Sequence, residues 1–155
     1  MPTRILRDYL DRNEVEYRTI LHSPAFTASE VAAAAHVGGK HVAKTVMVKL
    51  DGKLAMVAVP SSSRVDFEAL RETTGARQIE LAREAEFRDL FPGCETGAMP
   101  PFGNLYGVHV YVSPELAREP FIAFNAGTHD ELLELSYEDY ERLVRPRLIS
   151  EPLTI

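Results

Sequence analysis

The chain has 155 residues, 45% of them hydrophobic, with a formal net charge of −6 and a single cysteine. That length suits one domain over residues 1–155 with a proper core, the lone thiol excludes an internal disulfide framework, and the acidic balance argues against a protein that grips DNA or other long nucleic acid by its phosphates. No apolar run reaches the length of a membrane span and the charged N-terminal stretch has no signal-peptide core, so the expected location is the cytoplasm, with no membrane partner.

In chain order, Ile5, Leu6, Tyr9 and Leu10 fall at helical spacing over residues 3–12. Glu16 to Leu21 reads as a strand. Thr27-Ala28-Ser29-Glu30 is a capping-box pattern, predicting an alanine-rich helix that Gly38-Gly39 closes. Val42–Leu50 and Lys53–Val59 flank Asp51-Gly52, a strong hairpin signal. Val65 to Thr73 is predicted as a helix stopped by Gly75 and preceded by a capping serine run, Ser61-Ser62-Ser63. Ala82 to Leu90 is another helix, ended by Phe91-Pro92-Gly93. Leu105–Val112, Phe121–Asn125 and Leu132–Leu135 read as strands, Tyr137–Val144 as a last helix, and the remainder as a tail with two prolines. The fold class is α/β or α+β with a mixed sheet and flanking helices.

Two segments carry the chemistry. In Gly97-Ala98-Met99-Pro100-Pro101-Phe102-Gly103 a double proline flanked by glycines cannot continue a helix or a central strand. The pattern predicts a stiff, exposed loop whose free backbone groups face a ligand. Phe124-Asn125-Ala126-Gly127-Thr128-His129 ends an apolar run in a second glycine turn, where His129 is expected exposed and lining a site. Lys44 supplies the missing charge. Side chains alternate along a strand, so Lys44 shares a face with Val42, Val46, Val48 and Leu50, and must either reach water or line a cavity.

Other motifs fail. Gly38-Gly39-Lys40-His41 lacks the spacing of a phosphate loop. His36 and His41 have no second ligands at zinc spacing, and no metal or cofactor is expected. Cys94 reads as a small buried thiol, Ser61–Ser63 lack a nucleophile elbow, and His109, alternating with valines, reads as a half-buried imidazole. Arg145, Arg147, Arg4 and Arg7 have two readings, a solvated surface first and contact with RNA second.

The chain resembles the YbaK/prolyl-tRNA-synthetase-associated family of free-standing aminoacyl-tRNA editing domains. The likeness runs through His22-Ser23-Pro24-Ala25-Phe26-Thr27, Ala43-Lys44-Thr45-Val46, Val57-Ala58-Val59-Pro60, the Gly97–Gly103 loop and Phe124-Asn125-Ala126-Gly127. The resemblance implies a mixed, partly closed barrel-like sheet and metal-independent hydrolysis of a mischarged tRNA, often tRNA-Pro carrying Ala, Cys, Ser or Thr. It puts the essential lysine on Lys44 and substrate contacts on Thr45, Gly97 to Gly103, Asn125, Gly127, Thr128 and His129. It also implies transient association with prolyl-tRNA synthetase. Two other readings remain open: a module that binds aminoacyl-tRNA or a synthetase without turnover, and a hydrolase of an unrelated small molecule.

Overall fold

The computed structural model describes residues 4–21, 41–95 and 97–150. The Thr27 capping box, the alanine helix, Gly38-Gly39, His36 and the His22–Phe26 stretch lie outside the described residues.

Helix α1 (Arg4–Arg12) buries Leu6 and Leu10, one turn apart. Strand β1 (Tyr17–Leu21) follows. Strands β2 (Val42–Leu50) and β3 (Lys53–Pro60) form the expected hairpin. Its turn residues Asp51 and Gly52 take φ of 50° and 86°, as a primed turn requires. Helix α2 (Phe67–Thr74) starts later than expected, because the Asp66 carboxylate, not the serine run, accepts the Ala69 N–H; Gly75 closes it in the left-handed region.

The sequence reading missed β4 (Ile79–Leu81), three residues whose strand character comes from pairing with β2. The single helix expected from Ala82 is a short α3 (Glu84–Phe87) running into a 3₁₀ turn at Arg88–Leu90. The long strand expected from Leu105 is only β5 (Val110–Val112), because Gly103–Leu105 is a 3₁₀ turn and the Val108 N–H returns to the Gly103 carbonyl at 2.9 Å. Then come α4 (Pro114–Ala117), β6 (Phe121–Asn125), β7 (Glu131–Ser136) and α5 (Tyr137–Val144). Where a plain tail was expected, β8 (Arg147–Leu148) pairs with β5.

The mixed sheet runs β1-β7-β6-β2-β3-β5-β8, open at both ends, with β4 attached to β2. Strand β2 is the branch point. β3 takes one of its edges; on the other, β6 pairs with Val42 and Ala43, and β4 pairs with Val48 to Leu50. Between those two partners that edge of β2 is left open. A large core cluster holding Met47, Phe102, Phe124, Leu133 and Tyr140 lies on one face of the sheet. A smaller cluster of Val48, Val57, Val59 and Leu70 lies beneath α2 on the other.

Candidate functional site

Lys44 stands where β2 and β6 part. Their parallel register ends at Ala43 opposite Phe124, so the next residue on each strand is Lys44 and Asn125. Since Val42 is paired with Ala123, strand alternation puts the Lys44 and Asn125 side chains on the same face. Lys44 is half-buried, and among the described residues no carboxylate or hydrogen-bond acceptor holds its ammonium. Beside it, Asn125 Oδ1 is buried without a hydrogen-bond partner among the described residues. An unsatisfied buried acceptor costs about 1–3 kcal/mol.

Thr45 contributes through its backbone. The Ser61 N–H reaches the Val42 carbonyl at 2.7 Å, which fixes the even-numbered residues of β2 as those bonded to β3. Thr45 therefore turns its N–H and C=O the other way, toward the gap between β6 and β4. Nothing in the sequence shows this, because it depends on which strands flank β2.

The two glycine loops are tied together. The Glu95 N–H donates to the Gly127 carbonyl at 2.8 Å, and the Gly127 N–H donates to the Ala98 carbonyl at 2.9 Å. The Gly127 amide is thus occupied and unavailable to a ligand in this arrangement. The Ala98 N–H goes to Glu95 and the Phe102 N–H to Pro100, while Pro100 and Pro101 have none. The N–H groups of Gly97, Met99 and Gly103 have no acceptor among the described residues.

The expected exposed loop is largely interior, since Ala98 to Gly103 are all buried and only Gly97 is open to solvent. The cause is Phe102, which sits in the core with its ring 5.4 Å from those of both Phe124 and Tyr140. The Tyr140 hydroxyl then donates to the Pro101 carbonyl at 2.7 Å. Met99 is packed in the same core. At Gly103 a Cβ would fall 2.4 Å from the Val108 carbonyl oxygen, so no side chain fits there.

His129, expected exposed, is buried, because the tie to the 95–98 segment folds the Gly127 turn inward. Its Cε1 lies 3.6 Å from where a Gly97 Cβ would stand. Thr128 is held by its hydroxyl donating to Asp130 at 2.7 Å. Just beyond, buried Glu131 pairs with Arg7 of α1, anchoring the start of β7 to that helix. The structure therefore joins Gly97–Gly103 to Gly127–His129, and puts Lys44, Thr45 and Asn125 at the parting of β2 and β6.

Cys94 is half-buried, and burial pushes its thiol up, away from a reactive thiolate. His109 is exposed, not half-buried, because the strand begins only at Val110. His41 Nδ1 lies 3.2 Å from Glu119. Among the described residues no cluster of three or more His, Cys, Asp or Glu is placed to hold a metal ion.

The chain is 28% identical over 148 residues to the multifunctional Ser/Thr-tRNA deacylase ProXp-y of Escherichia coli K12, covering 91% of this chain and 87% of that one. It is 29% identical over 99 residues to a proline–tRNA ligase of Lysinibacillus sphaericus, covering 63% of this chain but 17% of the ligase. Its fold matches the crystal structure of the hypothetical protein APE2540 with a TM-score of 0.81 at 23% identity, over 92% of this chain and 95% of the other. It also matches a candidate trans-editing enzyme for prolyl-tRNA synthetase with a TM-score of 0.80 at 19% identity, over 97% and 98%. The aminoacyl-tRNA editing domain model matches residues 22–143, and the chain belongs to that family.

Proposed function

We propose that this protein is an aminoacyl-tRNA deacylase, a single editing domain over residues 1–155 that hydrolyses the ester of a mischarged tRNA in trans. The observation that carries the reading is the half-buried Lys44, unpaired among the described residues, beside an Asn125 carbonyl that likewise lacks a partner among them, on a chain of the editing family. Lys44 is the proposed catalytic residue. Its ammonium holds the terminal nucleoside or the substrate carbonyl as a donor, which a lysine already engaged by a carboxylate would do poorly.

Water adds to the ester carbonyl, the carbonyl oxygen becomes the oxyanion of a tetrahedral intermediate, and collapse expels the ribose hydroxyl and frees the amino acid. The oxyanion needs donors already in place, and the N–H groups of Thr45, Gly97, Met99 and Gly103 are the candidates. In well-studied enzymes one such donor contributes roughly 3–4 kcal/mol. An aminoacyl ester is activated enough that no covalent nucleophile is required, and the free ribose hydroxyl next to the ester can activate the water.

The main chain of the Gly97–Gly103 loop, stiffened by Pro100 and Pro101 and anchored through Ala98 and Phe102 in the core, is the proposed limit on the acyl side chain, together with the Gly127–His129 turn bonded to it. A wall that cannot yield suits a second sieve, since one methylene discriminates by only about 1–3 kcal/mol. The substrate class is a tRNA, tRNA-Pro first, carrying Ala, Cys, Ser or Thr; the name of the Escherichia coli relative supports Ser and Thr ahead of the others. Similarity to proline–tRNA ligases supports transient work beside that enzyme.

The test is a panel of tRNAs charged with Ala, Cys, Ser, Thr and Pro. Release of one or two of the first four, with Pro left intact, supports editing. Binding without turnover would make the protein a recognition module, and inertness to all five would point to a different substrate.

A further inference from the structure

A groove of about 720 Å³ runs beside β5, its walls including Asn104, His109, Tyr111, Arg145 and Arg147. Among the described residues lining it there is no carboxylate, in a chain of net charge −6. Arg4, Arg7, Arg18, Arg71, Arg83 and Arg142 each reach an acidic side chain. Arg145 and Arg147 are exposed and, like Arg64 and Arg88 outside the groove, pair with none among the described residues.

Arg145 is also held in an unfavourable backbone conformation. It closes α5 with φ 51° and ψ 55°, its N–H on the Glu141 carbonyl at 2.9 Å. That left-handed position is one glycine usually fills, and α2 of this same chain does close on Gly75, at φ 73°. A side chain there is disfavoured, because its Cβ crowds the following carbonyl oxygen. Pro146 then restricts the chain between the two arginines, and Arg147 is fixed by its register with Tyr111. The backbones that carry the two cations are thus fixed, one of them at a cost in stability.

We infer that this groove receives the sugar–phosphate backbone at the acceptor end of the tRNA whose ester lies at Lys44, a reading that rests on the proposed editing function. Guanidinium groups bind phosphate oxygens in two-pronged fashion and need no sequence information to do so. β8 lies three strands from β2, about 14 Å across the sheet. The groove also begins at Asn104, directly after the Gly97–Gly103 loop.

The test uses the full chain, Arg145→Gly, Arg147→Ser and the double variant, with Arg88→Ala as an exposed control outside the groove. Deacylation of the mischarged tRNA hydrolysed fastest in the charged-tRNA panel and anisotropy with uncharged tRNA are read across a salt series. Arg145→Gly is expected to melt higher than the parent yet raise KM about fivefold at unchanged kcat, a combination that a purely structural role would not give. The double variant should lower the slope of log affinity against log salt by about 1.4–1.8. An unchanged KM and salt slope, or an equal loss in Arg88→Ala, overturns the inference, as does loss of binding to a free polyanion such as heparin with tRNA binding intact. An inert parent that still binds tRNA through these arginines would sink the editing reading and leave the groove standing.

Discussion

Gly127 donates its N–H to the Ala98 carbonyl at 2.9 Å, and with the Glu95 bond to Gly127 this makes the glycine–proline loop and the β6–β7 turn one body. Gly127 is buried with φ 106°, a conformation nearly closed to other residues. Gly127→Ala should cost about 1–3 kcal/mol in urea unfolding and lower deacylation at temperatures where the variant is still folded. Unchanged stability would show that the turn relaxes without strain.

Tyr140 holds the same loop from the other side. Its buried hydroxyl donates to the Pro101 carbonyl at 2.7 Å, and burial raises its pKa well above the ordinary tyrosine value. Tyr140→Phe strands that carbonyl and should destabilise by about 1–3 kcal/mol. With the wall loosened, the charged-tRNA panel should show slower release of the preferred amino acid and some release of larger ones. A substrate profile identical to the parent's would remove Tyr140 from any part in selection.

Met99 is anchored in the core, so truncating it does more than widen a pocket. Met99→Ala should lose about 2–5 kcal/mol by chemical denaturation. A loss well under that range would mean the side chain is not packed as described.

Asp51 provides a pH dependence with a definite sign. The Gln78 and Arg77 N–H groups donate to its carboxylate and hold its pKa below the ordinary aspartate value. A group depressed in the folded state stabilises fully above its unfolded pKa and loses that contribution as pH falls through the folded value. Asp51→Ala should therefore lower Tm at neutral pH and flatten the acid-side decline in Tm. Parallel acid limbs for variant and parent would contradict the assignment.

Local signals found the elements they govern. Asp51-Gly52 placed the β2–β3 hairpin, the Leu6 and Leu10 repeat placed α1, and α5 begins at Tyr137 as read. The pattern failed where tertiary partners decide: β4 and β8 are strands of three and two residues that exist through pairing with β2 and β5. The alternating valines before Val110 were misleading because the Gly103 carbonyl captures the Val108 N–H. One signal was present but unread, Ser113-Pro114, a capping serine ahead of a first-turn proline that opens α4. In the candidate site, strand parity left Lys44 either reaching water or lining a cavity, and the family resemblance put the essential lysine at the same position. Its neighbour Asn125, and the open main-chain edge of Thr45, follow from a parallel pairing between residues some eighty positions apart, which no local pattern encodes.

Catalysis is assigned to the Lys44 ammonium. Single-turnover deacylation of the best substrate in the charged-tRNA panel, by the parent and by Lys44→Ala of matching Tm, tests it most directly. A fall of about 100-fold or more, near 2.7 kcal/mol of transition-state stabilisation, is expected. An unchanged rate in a folded Lys44→Ala protein would contradict it.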